Sequence, residues 1–153
     1  MTVSVEVRVQ EHEFDTGAEF GLLRADNHSD GATTIFVGSV RDFNSGDPVT
    51  ALALEYYPGM TEKVLADIGQ RALERWSLGR VRILHRVGQL VPGDDIVFVG
   101  VTAPHRQSAL DACGYIIDLL KTEAPFWKKE SGSGRARWVE SRASDHEALE
   151  KWR

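Results

Sequence analysis

One cysteine in 153 residues leaves no partner for an internal disulfide, and Cys113 alone cannot make a cysteine-rich metal site. No apolar run approaches the ~20 residues that a membrane helix needs. The opening stretch, MTVSVEVRVQ, lacks the basic segment and apolar block of a secretory signal. An excess of positive charge is also missing. The formal net charge is −5, whereas a general nucleic-acid binder is normally basic. No HExxH or CxxC spacing and no Walker or Rossmann glycine pattern occurs, and His12, His28 and His146 are scattered. Internal repeats, low-complexity tracts and linkers are absent as well. What remains is the expectation of a soluble, cytoplasmic, single-domain chain over residues 1–153, without metal or cofactor. At 42% hydrophobic and 27% charged residues, it has the composition of a globular protein.

What is present is an α+β pattern. Val3, Val5, Val7 and Val9 alternate with polar residues, as in a strand with one buried face. Phe14 to Ala25 reads as a short helix, capped by Asp15 or Thr16. ATTIFVGSVR is a strand ending near Arg41, NSGDP a loop, and VTALALEYY a further strand stopped by Pro58-Gly59. From about Thr61 to Trp76, the residues Val64, Leu65, Ile68, Ala72 and Trp76 fall on one helical face, with Gly79 closing the helix. RVRILHRVG places Val81, Ile83, His85 and Val87 on one side of a strand. IVFVGVT is apolar throughout, as a central strand is. Pro104 to Lys121 predicts a second long helix, with Ala109, Ala112, Cys113, Ile116, Ile117 and Leu120 inward. PFWKKE, GSG and ARWVES predict a hairpin. Two helices on an antiparallel or mixed sheet make an α+β domain.

Charge is unevenly spread along this frame. Between Lys121 and Arg142 stand six Lys/Arg and three Asp/Glu, a local +3, so the rest of the chain carries −8. A basic patch on an acidic body suits one small anion better than a long polyanion. The stretch LLKTEAPFWKKE sets three lysines around a Pro-Phe-Trp core. Lys121 ends an apolar helix, where a cation also answers the helix dipole. Lys128 and Lys129 leave opposite faces of a strand, so at most one shares a pocket with Phe126. His105 and Arg106 follow a buried strand and open a helix, either as an anion site or as a plain polar helix start. Arg41, before a loop, can fork onto a phosphate or simply end its strand in solvent. Cys113 lies on an inward helix face and reads as inert packing. His85 reads as a satisfied core histidine, and Trp76, Trp127, Trp138 and Trp152 as core or interface anchors.

In order along the chain, FVGSVR, LEYYPGMTEK, GRVRILHRVGQLVPGDD, VGVTAPHRQSA, LKTEAPFWKKE and RWVES together resemble the catalytic, large-subunit family of molybdopterin synthase. The match runs from about Ile35 to Arg142, and the first thirty residues add little. Leu110 stands where the family often carries an aromatic residue, a departure at a packing position.

The resemblance implies an α/β hammerhead-type fold with an additional small α+β sub-domain. It implies a sulfurtransferase that converts cyclic pyranopterin monophosphate to molybdopterin by installing two sulfurs as a dithiolene. Sulfur would arrive as a thiocarboxylate on the Gly-Gly tail of a small ubiquitin-like partner, in a heterotetramer built on a homodimer of this chain. Lys121 and Lys128 would be the catalytic lysines. Ser39, Val40 and Arg41, then His105 and Arg106, then Lys128, Lys129 and Glu130 would contact the substrate together with Lys121. Arg142 would reach a site, across the dimer or within the chain. Both substrate and donor are anions, which explains a site of Lys and Arg. A partly desolvated lysine can shed its proton near neutral pH. Two other classes remain open from the residues themselves: a non-catalytic module for phosphorylated metabolites, and a scaffold that holds a partner protein.

Overall fold

The computed structural model describes residues 4–44, 47–48, 50–132, 135–139 and 143–153, with the backbone alone at 43, 44, 47, 130, 135–139 and 143. Strand β1 (Ser4–Gln10) is the alternating valine segment, with Val3 outside the described residues. Helix α1 (Thr16–Arg24) starts at Asp15, whose carboxylate accepts from the Ala18 amide at 3.0 Å. Such a cap satisfies one of the orphan amides of a first turn. Strand β2 (Ala32–Ser39) follows, then the two-residue strands β3 (Phe43–Asn44) and β4 (Asp47–Pro48). Within NSGDP, Asn44 pairs with Asp47 as short antiparallel strands, where the sequence suggests a loop. Strand β5 (Ala51–Tyr56) leads into α2 (Met60–Arg75), where Glu62 accepts from the Gly59 amide at 3.0 Å.

Strands β6 (Arg80–Arg86), β7 (Gly88–Leu90) and β8 (Asp95–Ala103) come next, then helix α3 (Arg106–Glu123). The expected hairpin is β9 (Phe126–Gly132) with β10 (Arg135–Val139), and helix α4 (Ala143–Glu150) follows it. Neither β7 nor α4 is evident from the sequence pattern. No helix among the described residues is long and apolar enough to cross a membrane.

Two four-stranded sheets carry the fold. The first has the order β1-β6-β8-β2, with β1 parallel to β6 and the other pairs antiparallel. The second has the order β10-β9-β5-β7. Helices α2 and α3 cover one face of the first sheet, packing Leu65, Ile68, Ala72, Ala109, Ala112 and Ile116 onto Val81, Ile83, Val99 and Val101. Helix α1 covers the other face, where Leu23, Leu84 and Phe98 form a second core with Phe14 and Val37. This second layer explains a departure from the sequence pattern. β6 alternates as if half-exposed, yet Leu84 is 1% exposed because α1 lies over it.

The expectation that Gly79 closes α2 is corrected. The helix ends at Trp76, whose amide donates to the Ala72 carbonyl at 3.0 Å. Gly79 serves a close approach instead. A β-carbon there would run into the Asp30 carboxylate and Thr102 Oγ1. Asp30 is buried and accepts from Asn27 Nδ2 at 3.0 Å and from the Thr102 hydroxyl at 2.8 Å, so it cannot step aside without leaving those donors unpaired. Gly79→Ala is expected to cost about 1–3 kcal/mol, the usual range for overpacking. A shift of the urea midpoint checks it; an unchanged midpoint would show that Asp30 and Thr102 yield freely.

Candidate active site

Chain direction sorts the candidate residues into two groups. α3 leaves β8 at His105 and runs back along it, so Cys113 Sγ lies 4.0 Å from the Val99 carbonyl at mid-strand. The last turn of α3, with Lys121, thus returns to the level of Asp95, where β8 begins. Ser39 pairs with Asp95 there, across a bulge between Gly38 and Ser39. The bulge redirects the chain and is held from both sides. Ser39 Oγ donates to Asp95 at 2.8 Å, and the Val40 amide donates to the Asp94 carbonyl at 2.9 Å. Beyond it, exposed Arg41 lines a cavity of about 500 Å³ with Val40, Asp42, Pro92 and Gly93. Gly93 makes this turn at a φ of 95°, a region that disfavours a side chain.

His105 and Arg106 lie at the other end of α3, both exposed. Lys121 lies fifteen helical steps on from Arg106, roughly 22 Å at ~1.5 Å per residue. Lys121 therefore lies at one end of α3, and His105 and Arg106 at the other.

Strand β9 brings the second lysine. Directly opposed residues of a ladder share a face. Lys128 pairs with Leu54 and Phe126 with Tyr56, so both lie on the inner face that Leu54 and Leu52 bury. Lys129 pairs with Ala53, and its side chain is exposed. Trp127 shares that outer side and meets Tyr57 edge-on at 4.4 Å. Glu130 pairs with Leu52 in the backbone ladder. Arg142 lies outside the described residues.

His85 stands where the two sheets meet at this end. Its ring stacks on Phe126 with centroids 3.9 Å apart and planes 21° off parallel. Nδ1 is 2.8 Å from the Arg86 carbonyl oxygen, which can only accept, so Nδ1 carries the proton and Nε2 the lone pair. Burial pushes its pKa down to about 4, and Lys128 and then Lys121 push the same way, against the Arg86 hydrogen bond. Both lysines of the predicted pair thus act on one ring. The sequence pattern marks His85 as a core residue, which it is. Its neighbours come from β9 and α3, and no local signal reveals them.

The thiol is inert by position. Burial pushes Cys113 up to about 12. Among the described residues no group of three or more His, Cys, Asp or Glu is placed to hold a metal ion. The tryptophans divide by role. Trp152 Nε1 donates to Asp118 at 2.6 Å, and the Arg75 guanidinium donates to the Trp152 carbonyl at 2.7 Å while lying 5.2 Å over Trp76. Together they fasten the segment after α4 onto α2 and α3.

The frame is thus an α+β one that sets basic side chains beside buried aromatic rings and holds its one thiol inert. The model of the MoaE protein family matches residues 9–123. The chain belongs to that family. It is similar to the molybdopterin synthase catalytic subunits of Escherichia coli (55% identical, covering 91% of this chain and 92% of the relative) and Pseudomonas aeruginosa (53% identical, 95% and 97%). Its fold is similar to the solved molybdopterin biosynthesis MoaE protein from Burkholderia ambifaria, with a TM-score of 0.84, 47% identity and coverage of 97% and 98%.

The buried ring gives a pH dependence with a definite sign. An unfolded imidazole takes its proton near the usual ~6.5, whereas His85 in the fold does so at about 4. Between those values the unfolded chain binds the extra proton, so stability is full above about 6.5 and is lost as pH falls toward 4. Denaturation midpoints measured from pH 7 to pH 4.5 should fall, and less so in His85→Gln. Imidazole NMR should show His85 neutral and Nδ1-protonated at pH 5; a ring protonated there would contradict the burial.

Proposed function

We propose that this chain acts as the catalytic subunit of a molybdopterin synthase, transferring sulfur from the C-terminal thiocarboxylate of a small ubiquitin-like partner to cyclic pyranopterin monophosphate. The observation that supports the site assignment is the β9 ladder, which sets Lys128 on the same face as Phe126, the ring stacked on buried His85. The relatives' name, a catalytic subunit of a synthase, supports an assembly with another chain.

The chemistry suits these residues. The substrate phosphate and the thiocarboxylate are both anions, and cations in a partly dehydrated setting attract both. Arg41, beside an open cavity, offers a planar fork for a phosphate, with Ser39 and Val40 shaping its approach. Lys128, with its stem over the inner face of β9, and Lys121 move protons as the pterin side chain is opened and each sulfur is installed. Phe126 excludes water beside them. Lys129 and Glu130 extend the contact along β9. With Cys113 inert, the sulfur comes from the partner's tail, whose two glycines can thread a narrow channel. The reaction belongs to the cytoplasm.

His105 and Arg106 belong to the same reading only if a second copy supplies them, because a substrate of this size cannot span roughly 22 Å of helix. The functional unit is then a homodimer in which each lysine end faces the partner's α3 N-terminus, with a small subunit bound to each copy. Arg142 joins the substrate site in this reading.

The two neighbouring lysines supply the first test. Lys128→Ala should remove most of the sulfur-transfer rate with the fold intact by circular dichroism. Lys129→Ala should cost much less. A larger loss at Lys129 would place the substrate on the outer face of β9 and overturn the site. The second test mixes protomers. Lys121→Ala and Arg106→Ala, each inactive alone, should regain about a quarter of wild-type activity on subunit exchange, because half the dimers are mixed and each carries one intact composite site. No regain after verified exchange would mean that both residues serve one protomer's site.

A further inference from the structure

Among the buried titratable groups, His85 is the one that touches the site without a part in the chemistry above. We propose that His85 is a positioning residue for the lysine pair: its ring seats Phe126 and the inner face of β9, and its Nε2 lone pair serves as the uncharged acceptor beside Lys128 and Lys121. The inference rests on the function proposed above and concerns how that site is held.

Three observations carry it. First, His85 is a point of contact between the first sheet and β9. It is locked in β6 between Val9 and Val97, and its ring stacks on Phe126 at 3.9 Å. Phe126 and Lys128 are two residues apart on one strand and so share a face. Whatever fixes the Phe126 ring therefore also fixes where the Lys128 stem leaves the ladder.

Second, the tautomer is set. The Arg86 carbonyl takes the Nδ1 proton at 2.8 Å, leaving Nε2 as an acceptor. The adjoining guanidinium of Arg86 is engaged elsewhere, donating to the Glu11 carbonyl at 2.9 Å and lying 3.8 Å from Asp94. Third, among the described residues the charged groups that act on the ring are Lys128 from β9 and Lys121 from α3.

Charge explains why a histidine suits this position. A carboxylate beside the lysines would pair with them and cancel the positive field that draws two anionic reactants. A cationic group would drive the lysines apart. A neutral imidazole gives the ammonium groups an acceptor and adds no charge of either sign. Its burial keeps it in that form throughout the neutral range.

His85→Phe tests the proposal, because it preserves a stackable ring and removes the acceptor. With lysine side chains isotopically labelled in the full-length protein, NMR should show the Lys128 ammonium titrating at lower pH in His85→Phe than in wild type. In the sulfur-transfer assay kcat should fall roughly tenfold to a hundredfold, the loss of one hydrogen bond to a charged group, with KM little changed. The kcat–pH profile should move with the lysine. Wild-type kcat together with an unmoved Lys128 titration in His85→Phe would overturn the proposal and leave His85 as packing alone.

Should that variant not fold, the 15N shift of Nε2 decides instead. It should change in Lys128→Met or Lys121→Met, and an Nε2 signal unmoved by either substitution would equally overturn it. A wild-type protein that forms no dithiolene sinks the proposed function and leaves both NMR readouts standing, so the two failures are distinguishable.

Discussion

Strand β8 has no face toward solvent. From Ile96 to Ala103 every residue is buried, between β6 and β2 at its edges, α2 and α3 on one side and α1 on the other. Burying a side chain such as Phe98 contributes on the order of 1.5–3 kcal/mol relative to leaving it in water. Any change of register would expose one of the two cores. With β8 fixed, α3 runs back along it, with Cys113 over Val99 at mid-strand and Lys121 beyond it toward the start of β8. The lysine end of the molecule follows from that geometry.

At that end the protein keeps like charges close to one buried ring. Lys121 and Lys128 both act on the His85 ring, and Arg41 stands at the neighbouring turn. Like charges held close destabilise a fold, and here the cost is limited in two ways. Lys121 lies in the exposed last turn of a helix, where the dipole favours a cation. The acidic remainder of the chain, at −8, also offsets the local field over longer distances. The inert Cys113 fits a division of labour, because a chain that receives sulfur from a partner has no use for a nucleophilic thiol.

Much of this was legible in the sequence wherever one physical signal dominated. The alternating valines of β1, the helical apolar faces of α2 and α3, and the unbroken apolar run of β8 fall where the pattern puts them. The opposite facing of Lys128 and Lys129 follows from strand geometry alone and stands in the β9 ladder. Other features needed tertiary context. Gly88-Gln89-Leu90 is too short to show a period, and α4 has few apolar residues to mark a face. Gly79 resembles a helix stop and is instead demanded by Asp30, which lies far away in sequence. His85 shows only an apolar strand position, because the lysines that give it significance come from two other elements. The catalytic and substrate-contact roles came from family resemblance, since no spacing of Lys, Arg and His by itself names a pterin or a thiocarboxylate.

Helix α3 also acts as a ruler. Its eighteen residues set the distance between the end that bears Arg106 and the end that bears Lys121. Inserting one full turn would keep the apolar face in phase and the core packed, yet it would slide the two ends apart by about 5.4 Å. In the composite site proposed above, that shift would separate the two half-sites around one substrate. Helix length, as well as residue identity, would then set how the two ends of α3 serve one site.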